Sequence, residues 1–238
     1  MKERFLGVEV CTENYEELSA HLLNDINEGR KSFIVAINPE KVVKAQHDPA
    51  LRDLLNQATY QIPDGIGIIL ASKLKKGQIS ERVTGIDMML RLCRLAAENN
   101  KSVFLYGAKP GIAAEAKTKL QEMFPGLHVA GVLDGYEKDE AKIVRTINNA
   151  APDIIFVALG SPRQENWIID HMNQLAPKVY QGVGGSFDVI SGRIKRAPAG
   201  FQKLGLEWFY RLMKEPWRLK RQMDLPKFLM AVLRDKSR

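Results

Sequence analysis

Asp64 is the acidic side chain whose surroundings best suit a role in chemistry. It lies in residues 63–67 (Pro-Asp-Gly-Ile-Gly), after a short apolar stretch that predicts a strand and before an apolar stretch that predicts a helix. In one interpretation the carboxylate is the N-cap of that helix. In the other it is a general base that removes a proton from an attacking hydroxyl. The position alone favours the cap, so a catalytic role needs support from other residues.

Arg82 and Gln164 are polar residues that suit the binding of a phosphorylated sugar. Arg82 lies in residues 80–83, before a predicted helix. An exposed surface position is the simpler interpretation, but a guanidinium group there also suits a phosphate. Gln164 lies in residues 160–165 (Gly-Ser-Pro-Arg-Gln-Glu), which follow an apolar strand and open a helix. A capped helix start explains this segment too, although an amide that both donates and accepts could hold sugar hydroxyls.

Residues 182–186 (Gly-Val-Gly-Gly-Ser) place three glycines where backbone N–H groups could approach a phosphate. The pattern is weak by itself, because glycines in a tight turn explain it equally well. Neither GxGxxG nor GxxxxGK followed by Ser or Thr occurs in the chain. The sequence therefore argues against a GxGxxG dehydrogenase and against a P-loop ATPase.

Metal binding and disulfide formation have little support in the sequence. The four histidines are scattered without an HExxH pattern, no two aspartates are separated by a single residue, and Cys11 and Cys93 have no CxxC spacing. We therefore expect a metal-independent reaction without a cofactor. If a diphosphate leaves in that reaction, its charge must be stabilised by backbone donors, a helix N-terminus and guanidinium groups such as Arg82 and Arg196.

Strands alternate with helices along most of the chain, joined by short connections that contain glycine or proline. From residue 101 onward, hydrophobic periodicity predicts strands at 102–106, 128–133, 153–159 and 178–182, and helices at 112–124, 139–150 and 164–175. Before residue 101 it predicts strands at 5–10 and 33–37, a helix at 15–28, helices after Asn38 and Asp64, and a helix from its N-cap Thr84 to Asn99.

This alternation is typical of parallel β-α-β units. We therefore predict that residues 1–192 form one doubly wound α/β domain, with a Rossmann-like, mostly parallel sheet and helices on both faces. Ligands of such sheets bind beyond the carboxyl ends of the strands. The polar or glycine positions at those ends are Asn38, Asp64, Gly107, 134–135, 160–161 and 182–186.

Residues 193–238 form a basic C-terminal appendage. They contain 13 Lys or Arg against four acidic residues, whereas residues 1–192 contain 22 basic and 24 acidic side chains, so the formal charge of +7 comes from this tail. Because Pro216 suits the first position of a helix, we predict two or three short helices. Their cations, with Trp208 and Trp217, suit an anionic surface, either phospholipid or nucleic acid. In the simpler alternative, these helices pack on the body and expose ordinary solvated charges.

The apolar stretches of the chain are much shorter than the roughly 20 residues that a membrane-spanning helix requires. The N-terminal segment is charged too early to resemble a secretory signal. We therefore expect a cytoplasmic protein whose membrane contact is peripheral, on the inner face of the cell membrane.

The motifs together resemble the WecG/TagA/CpsF family of bacterial glycosyltransferases over nearly the whole chain. The segments that carry the resemblance, in order, are residues 63–65, 81–85, 157–165, 182–189, 195–198 and 204–208. The resemblance implies an inverting, metal-independent transfer of an N-acetylmannosamine-type sugar from UDP to undecaprenyl-diphosphate-linked GlcNAc. It also implies a role in wall teichoic acid or enterobacterial common antigen synthesis, and a C-terminal appendage that closes over the active site at the membrane.

The resemblance also implies roles for individual residues. Asp64 is then the catalytic base, and Arg82 is a second catalytic residue, which stabilises the leaving diphosphate or the lipid diphosphate. The residues implied to bind substrate are Asn38, Gln164, Gly184, Gly185, Asp188, Arg196, Arg211, Arg218 and Arg221. One position departs from the pattern: teichoic-acid members have Thr-Pro-Asn where residues 36–38 read Ala-Ile-Asn. The donor is therefore either the N-acetylmannosamine derivative or its uronic acid, for which one further cation in the pocket would be needed.

The leading hypothesis is thus a glycosyltransferase whose partners are a UDP-sugar, a lipid-linked acceptor and the cytoplasmic membrane surface. It predicts no nucleic-acid partner, and a homo-oligomer is compatible with the sequence. The alternative is a nucleic-acid-binding protein that uses the basic, aromatic tail. Against this alternative, the body is slightly acidic and shows no RNP, KH or helix-turn-helix pattern. A membrane scaffold without enzymatic activity is a third hypothesis.

Overall fold

The strands of the protein form two separate sheets in a computed structural model, which describes residues 1–203, 205–214 and 224–235. The strands in chain order are β1 (Lys2–Phe5), β2 (Val8–Cys11), β3 (Ser32–Ile37), β4 (Tyr60–Pro63), β5 (Ser102–Gly107), β6 (His128–Leu133), β7 (Ile154–Ala158) and β8 (Val179–Gly182).

Helices fill most of the connections between these strands. Within the described residues they are α1 (Tyr15–Asn27), α2 (Pro39–His47), α3 (Pro49–Asn56), α4 (Ile66–Leu74), α5 (Gly85–Glu98), α6 (Ile112–Met123), α7 (Glu140–Ala150), α8 (Arg163–His171), α9 (Ser186–Ile190), α10 (Ala199–Lys203), α11 (Glu207–Lys214) and α12 (Asp224–Arg234). In the described part of the chain, none of them has both the length and the apolar character that crossing a bilayer requires.

The central sheet has six strands in the order β4-β3-β8-β7-β5-β6, and every neighbouring pair is parallel. Because the strands are parallel, their carboxyl ends meet at one edge of the sheet. The predicted α/β class with a parallel sheet is therefore confirmed. The antiparallel pair β1 and β2 forms a separate two-stranded sheet.

Alternating side chains on the strands feed two hydrophobic cores, one on each face of the sheet. On β3, Phe33 and Val35 belong to the first core and Ile34 to the second. The first core is covered by α2, α3, α4, α7, α8 and α12, and the second by α1, α5, α6 and α9. Since both faces are covered, strands such as β5 and β7 are buried at every position, which explains their continuous apolar sequences.

The predicted single strand at residues 5–10 is wrong, because the chain turns back in the middle of it. Leu6 and Gly7 have positive φ angles of 53° and 89°, and Phe5 pairs directly with Val8 across this two-residue turn. Such a turn suits the twist of a hairpin. Because apolar residues lie on both sides of the turn, the sequence pattern resembled that of one continuous strand.

Most other predicted elements agree with the structure to within a few residues. Thr84 caps α5 as expected, since its Oγ1 accepts a hydrogen bond of 3.2 Å from the backbone of Asp87. The helix predicted at 164–175 ends earlier, at His171. Beyond that end, the Lys31 ammonium group donates to the carbonyl groups of Met172, Asn173 and Leu175. A cation at this helix end satisfies carbonyls that lack helical partners.

The last described helix, α12, is packed into the first core. Phe228 is fully buried and meets Phe5 edge-on, with ring centroids 6.2 Å apart, and Val232 is also buried. The helix contacts α2 and α4. Gly67 on α4 permits this contact, because a Cβ there would lie 2.5 Å from both Leu225 and Pro39. The division of the chain into residues 1–192 and a membrane-associating appendage at 193–238 stays a prediction.

We predict that Phe228→Ala lowers the free energy of unfolding by about 3–5 kcal/mol, because it leaves a cavity in the shared core. Urea denaturation followed by circular dichroism measures this. Leu233→Ala on the same helix is the matched control: this side chain is 65% exposed, so its loss should change stability by less than about 0.5 kcal/mol. Equal effects of the two substitutions would show that α12 is not docked in solution.

Candidate active site

A cleft of about 980 Å³ lies at the carboxyl edge of the central sheet. The residues that follow β3, β4, β7 and β8 line it, together with the start of α5 and residues of α11. Gly107 and Asp134, which follow β5 and β6, are not among the lining residues. The cleft is large enough to enclose a ligand of the size of a nucleotide sugar.

Asp64 lies in this cleft directly after β4. Its backbone N–H donates to the carbonyl of Ile37 at 2.8 Å, and the next residue, Gly65, turns the chain with a φ of 108°. Gly65 is the N-cap of α4 and no side chain caps that helix, so the simpler interpretation of Asp64 as its cap is wrong. Instead the carboxylate faces the start of α5, where Oδ2 accepts a hydrogen bond of 3.4 Å from Gly85.

The surroundings of Asp64 make its charged form unfavourable. Burial raises the pKa of its carboxyl group above the ordinary value, and the nearby carboxylate of Glu207 adds to the rise. The Gly85 N–H and the charges of Arg82 and Lys41 oppose the rise without cancelling it. A carboxylate with a raised pKa is better matched to accepting a proton near neutral pH than an exposed aspartate is.

Arg82 is held close to Asp64 by the backbone and is itself paired. The N–H of Val83 donates to the carbonyl of Pro63 at 2.9 Å, which fixes the segment beside the end of β4. The Arg82 Nη2 donates to the carbonyl of Gln202 at 3.0 Å and to Glu207 at 3.3 Å. The guanidinium group thus already binds an anionic group, contributed by α11.

Arg196 belongs to the same charged cluster. Its Nη2 lies 2.6 Å from the Asp87 carboxylate and 3.5 Å from Glu207, while its buried Nε has no partner among the described residues. Burial alone would raise the pKa of Asp87, but hydrogen bonds from Arg196 and Thr84 outweigh it and leave the pKa lowered. Two arginines and two carboxylates therefore form one network, although Arg196 does not line the cleft itself.

Asn38 follows β3 and serves as the N-cap of α2. Its Oδ1 accepts a hydrogen bond of 2.9 Å from the backbone N–H of Lys41. The side chain of Lys41 then crosses to α8, where its Nζ lies 2.8 Å from the carboxylate of Glu165. Asn38 lines the cleft as predicted, but in this structure its side-chain oxygen has a structural role.

Gln164 also uses much of its hydrogen-bonding capacity within the protein. Its Oε1 accepts from the Gly184 N–H at 3.0 Å, and its Nε2 donates to Glu165 at 3.1 Å. Gly182 permits this arrangement, since a Cβ there would lie 2.6 Å from the Gln164 Nε2. One N–H and one lone pair of the amide remain for a ligand.

The remaining residues predicted to bind substrate lie in the glycine-rich loop and in the tail, and only some of them line the cleft. Gly184, with a φ of 53°, and Gly185 line the cleft, whereas Asp188 lies further along α9 and does not. Arg211 lies on α11, and its side chain is outside the described part of the structure, as are Arg218 and Arg221 entirely. In the described residues no group of three or more His, Cys, Asp or Glu could hold a metal ion.

Comparison with known proteins identifies the family. The model of the family described as "Glycosyl transferase WecG/TagA/CpsF family" matches residues 3–238. This chain belongs to that family. An N-acetylglucosaminyldiphosphoundecaprenol N-acetyl-beta-D-mannosaminyltransferase of Bacillus subtilis (strain 168) is 39% identical over 206 residues, which are 87% of this chain and 80% of the relative. A protein of the same name from Staphylococcus aureus (strain MRSA252) is 37% identical over 206 residues, 87% of this chain and 81% of the relative.

The resemblance to the WecG/TagA/CpsF family is thereby confirmed, and the protein is a glycosyltransferase. The individual residue roles stay predictions. Three residues of the site were not predicted from the sequence: Glu207, Lys41 and Glu165. Lys41 follows Asn38 by one helical turn, and Glu165 is adjacent to Gln164, so both lay next to selected positions. Glu207 lies in a segment that was interpreted through its positive charge.

We predict that Asp64→Asn stabilises the protein near neutral pH. Because the folded state binds a proton at Asp64 more tightly than the unfolded chain does, wild-type stability falls as pH rises from the ordinary aspartate pKa through the raised value. The amide of the variant carries no charge at any pH. Its melting temperature should therefore exceed that of the wild type at pH 7–8, and the gap should close toward pH 4.

Thermal melts between pH 4 and pH 8 measure this gap. Asp53→Asn is the control, since its carboxylate is 68% exposed and should produce no gap that grows with pH. A gap of constant size, or one that widens toward low pH, would contradict the raised pKa of Asp64.

Proposed function

We propose that the protein is an inverting glycosyltransferase that moves an N-acetylmannosamine-type sugar from UDP to GlcNAc linked to undecaprenyl diphosphate. One observation carries the proposal: Asp64 presents a carboxylate of raised pKa to the cleft and does not cap the helix that follows it. The names of the relatives, which describe N-acetylmannosaminyltransferases acting on N-acetylglucosaminyldiphosphoundecaprenol, support the choice of sugar and acceptor.

In the proposed reaction Asp64 takes the proton from an acceptor hydroxyl. The hydroxyl oxygen forms a bond to the anomeric carbon of the donor sugar, while the bond from that carbon to the diphosphate oxygen breaks and its electron pair leaves with UDP. Attack from the face opposite the leaving group inverts the anomeric configuration. In the described residues, the hydrogen bond from Gly85 is the only one to the Asp64 carboxylate, which leaves it free to accept this proton.

The leaving diphosphate gains negative charge as the bond breaks, and the cleft holds the groups that suit it. Arg82 lies on the cleft wall, and the N-terminus of α5 points toward the same space. Arg82 is paired with Glu207 through Nη2, so a diphosphate that binds the same nitrogen competes with this carboxylate. A diphosphate carries more charge than one carboxylate, which favours the exchange.

Two features bear on the identity of the donor. Ala36 occupies a cleft-lining position, where a teichoic-acid member is expected to have a hydroxyl, and this argues for a donor that differs from theirs. The relatives at 37–39% identity are named as N-acetylmannosaminyltransferases, and this argues for the unmodified sugar. We propose N-acetylmannosamine, with its uronic acid as the donor to compare.

The lipid-linked acceptor places the proposed reaction at the cytoplasmic face of the membrane, and the basic tail suits peripheral binding there. On α11, Phe209 and Met213 are 42% and 52% exposed. By contrast, Arg193 is paired with Glu115 at 2.6 Å, and Arg196 is paired with Asp87. Pairing of these two cations lowers the charge that the tail offers to any polyanion, phospholipid or nucleic acid, so the choice between the hypotheses depends on the family and on the cleft of the body. We therefore favour the enzyme over the nucleic-acid-binding alternative.

We predict that the wild type binds UDP and that Asp64→Asn binds it with nearly the same affinity but turns over at least about 100-fold more slowly, since a general base contributes 10²–10⁴ in rate. Isothermal titration calorimetry and release of UDP from UDP-N-acetylmannosamine measure the two effects. The wild-type rate should fall on the acid side with a pKa above that of an ordinary aspartate. Absence of UDP binding would contradict the proposed donor, and a variant rate within about tenfold of the wild-type rate would contradict the role of Asp64 as the base.

We predict that replacing Phe209 and Met213 together by serine weakens binding to vesicles that contain phosphatidylglycerol, because the helix then has fewer exposed apolar groups to insert. Vesicle sedimentation measures binding, and turnover on a short-chain, soluble acceptor should change little. Met123→Ser is the control, since Met123 is also 52% exposed but lies on α6. Deletion of residues 193–238 would be a poorer test, because it removes Phe228 from the core.

A further inference from the structure

The buried ion pair of Lys41 and Glu165 is a feature that the proposed reaction does not yet use. The Glu165 side chain is completely inaccessible to solvent, that of Lys41 is 15% exposed, and the Nζ and Oε1 atoms are 2.8 Å apart. Removing two charges from water is costly, and an apolar pair of similar volume often stabilises a fold as well or better. Stability alone therefore gives little reason for an ion pair at this place.

A single oxygen of Glu165 holds two groups of the cleft. Its Oε1 accepts from the Lys41 ammonium group and from the Gln164 amide, while its Oε2 has no partner among the described residues. Gln164 in turn accepts from the N–H of Gly184. The carboxylate thus links α2, which follows β3, to α8 and to the glycine-rich loop, and it fixes which end of the Gln164 amide faces that loop.

The Lys41 ammonium group has donors that its ion pair with Glu165 does not use. An ammonium group has three N–H donors, and in the described structure one of them is used, by Glu165. Lys41 lines the cleft and Glu165 does not, so the counterion lies behind the lysine and leaves the cleft side of the ammonium group for a ligand. Other cations near the cleft are paired differently: Arg82 with Glu207, and Lys44 with Glu40.

We propose that Lys41 binds a diphosphate in the cleft and that Glu165 is a positioning residue, which holds the Lys41 ammonium group and the Gln164 amide in place. The proposal rests on the proposed function, in which both substrates carry a diphosphate. An ammonium group is a compact point charge and suits phosphate oxygens. The Asn38 side chain accepts a hydrogen bond from the backbone N–H of Lys41, so the lysine side chain extends from a defined position at the start of α2.

The first test compares Lys41→Met with Lys44→Met in the full-length protein. Both substitutions remove one charge from α2 at a position that lines the cleft, but the Lys44 side chain is 58% exposed and paired with Glu40 of the same helix. If the bound diphosphate is that of the donor, Lys41→Met should weaken UDP binding about tenfold or more, the effect of losing a charge-assisted hydrogen bond, and should leave uridine binding unchanged. Lys44→Met should change UDP binding by less than about twofold. Calorimetric titration with UDP and with uridine measures these affinities.

The second test separates a binding role from a purely structural one. Lys41→Met and Glu165→Met each leave a buried charge without its partner, so each should lower the melting temperature, and the double variant should recover it because both charges are gone. UDP affinity should remain about tenfold weaker in the double variant and in Lys41→Met alike. Recovery of both stability and UDP affinity in the double variant would overturn the proposal, because the pair would then serve only the fold.

The third test identifies the source of the diphosphate. If Lys41→Met weakens UDP binding, the donor diphosphate is bound; if instead it raises the KM of a short-chain GlcNAc-diphosphate acceptor, the acceptor diphosphate is bound. No change in either quantity overturns the proposal. Titration with inorganic pyrophosphate distinguishes this failure from failure of the proposed function. A wild type that binds pyrophosphate through Lys41 but does not bind UDP would contradict the proposed donor and support the diphosphate site.

Discussion

The parallel pairing of β3 with β4 on one side and with β8 on the other is the constraint on which the site depends. Ile37 is opposite Pro63, and Ile34 is opposite Gln181, so the chain leaves all three strands at the same edge. This register places Asn38, Asp64 and the glycine-rich loop around one cleft although they are distant in sequence. A shift of one residue in β3 would exchange the side chains of the two cores, which holds the register in place.

Three cations at or beside the cleft are each held by a partner from a different element. Arg82 precedes α5 and meets Glu207 of α11, Lys41 of α2 meets Glu165 of α8, and Arg196 meets Asp87 of α5. These ion pairs keep cations close to the partly buried carboxylate of Asp64, while each cation retains a partner. Asp64 is the exception, since burial dominates its surroundings and its charged form is unfavourable. The charged form of Asp64 thus costs stability locally, and this cost is consistent with the proposed role of Asp64 as a proton acceptor.

Local patterns in the sequence predicted the elements and many of the residues that line the cleft. They did not predict which residues distant in sequence would pair. The cap at Thr84 and the alternation of strands and helices depend on neighbours within a few residues, so they could be predicted. The hairpin at residues 1–11 could not be predicted in this way, because Leu6 adopts a positive φ that leucine rarely has. The pair of Lys41 and Glu165 joins positions 124 residues apart, and no local pattern specifies such a contact.

The described parts of the basic tail are attached to the body in two physically different ways. Helix α12 is attached by apolar burial of Phe228 and Val232, an interaction that no substrate can replace. Helices α10 and α11 are attached to Arg82 through the carbonyl of Gln202 and the carboxylate of Glu207, and these are groups that a phosphate can imitate. If a diphosphate binds Arg82 as proposed, it competes with these groups of α10 and α11, whereas the apolar contacts of α12 are unaffected. The proposed binding of a diphosphate at Arg82 would thus be linked to the position of α10 and α11, while α12 keeps the segment attached to the body.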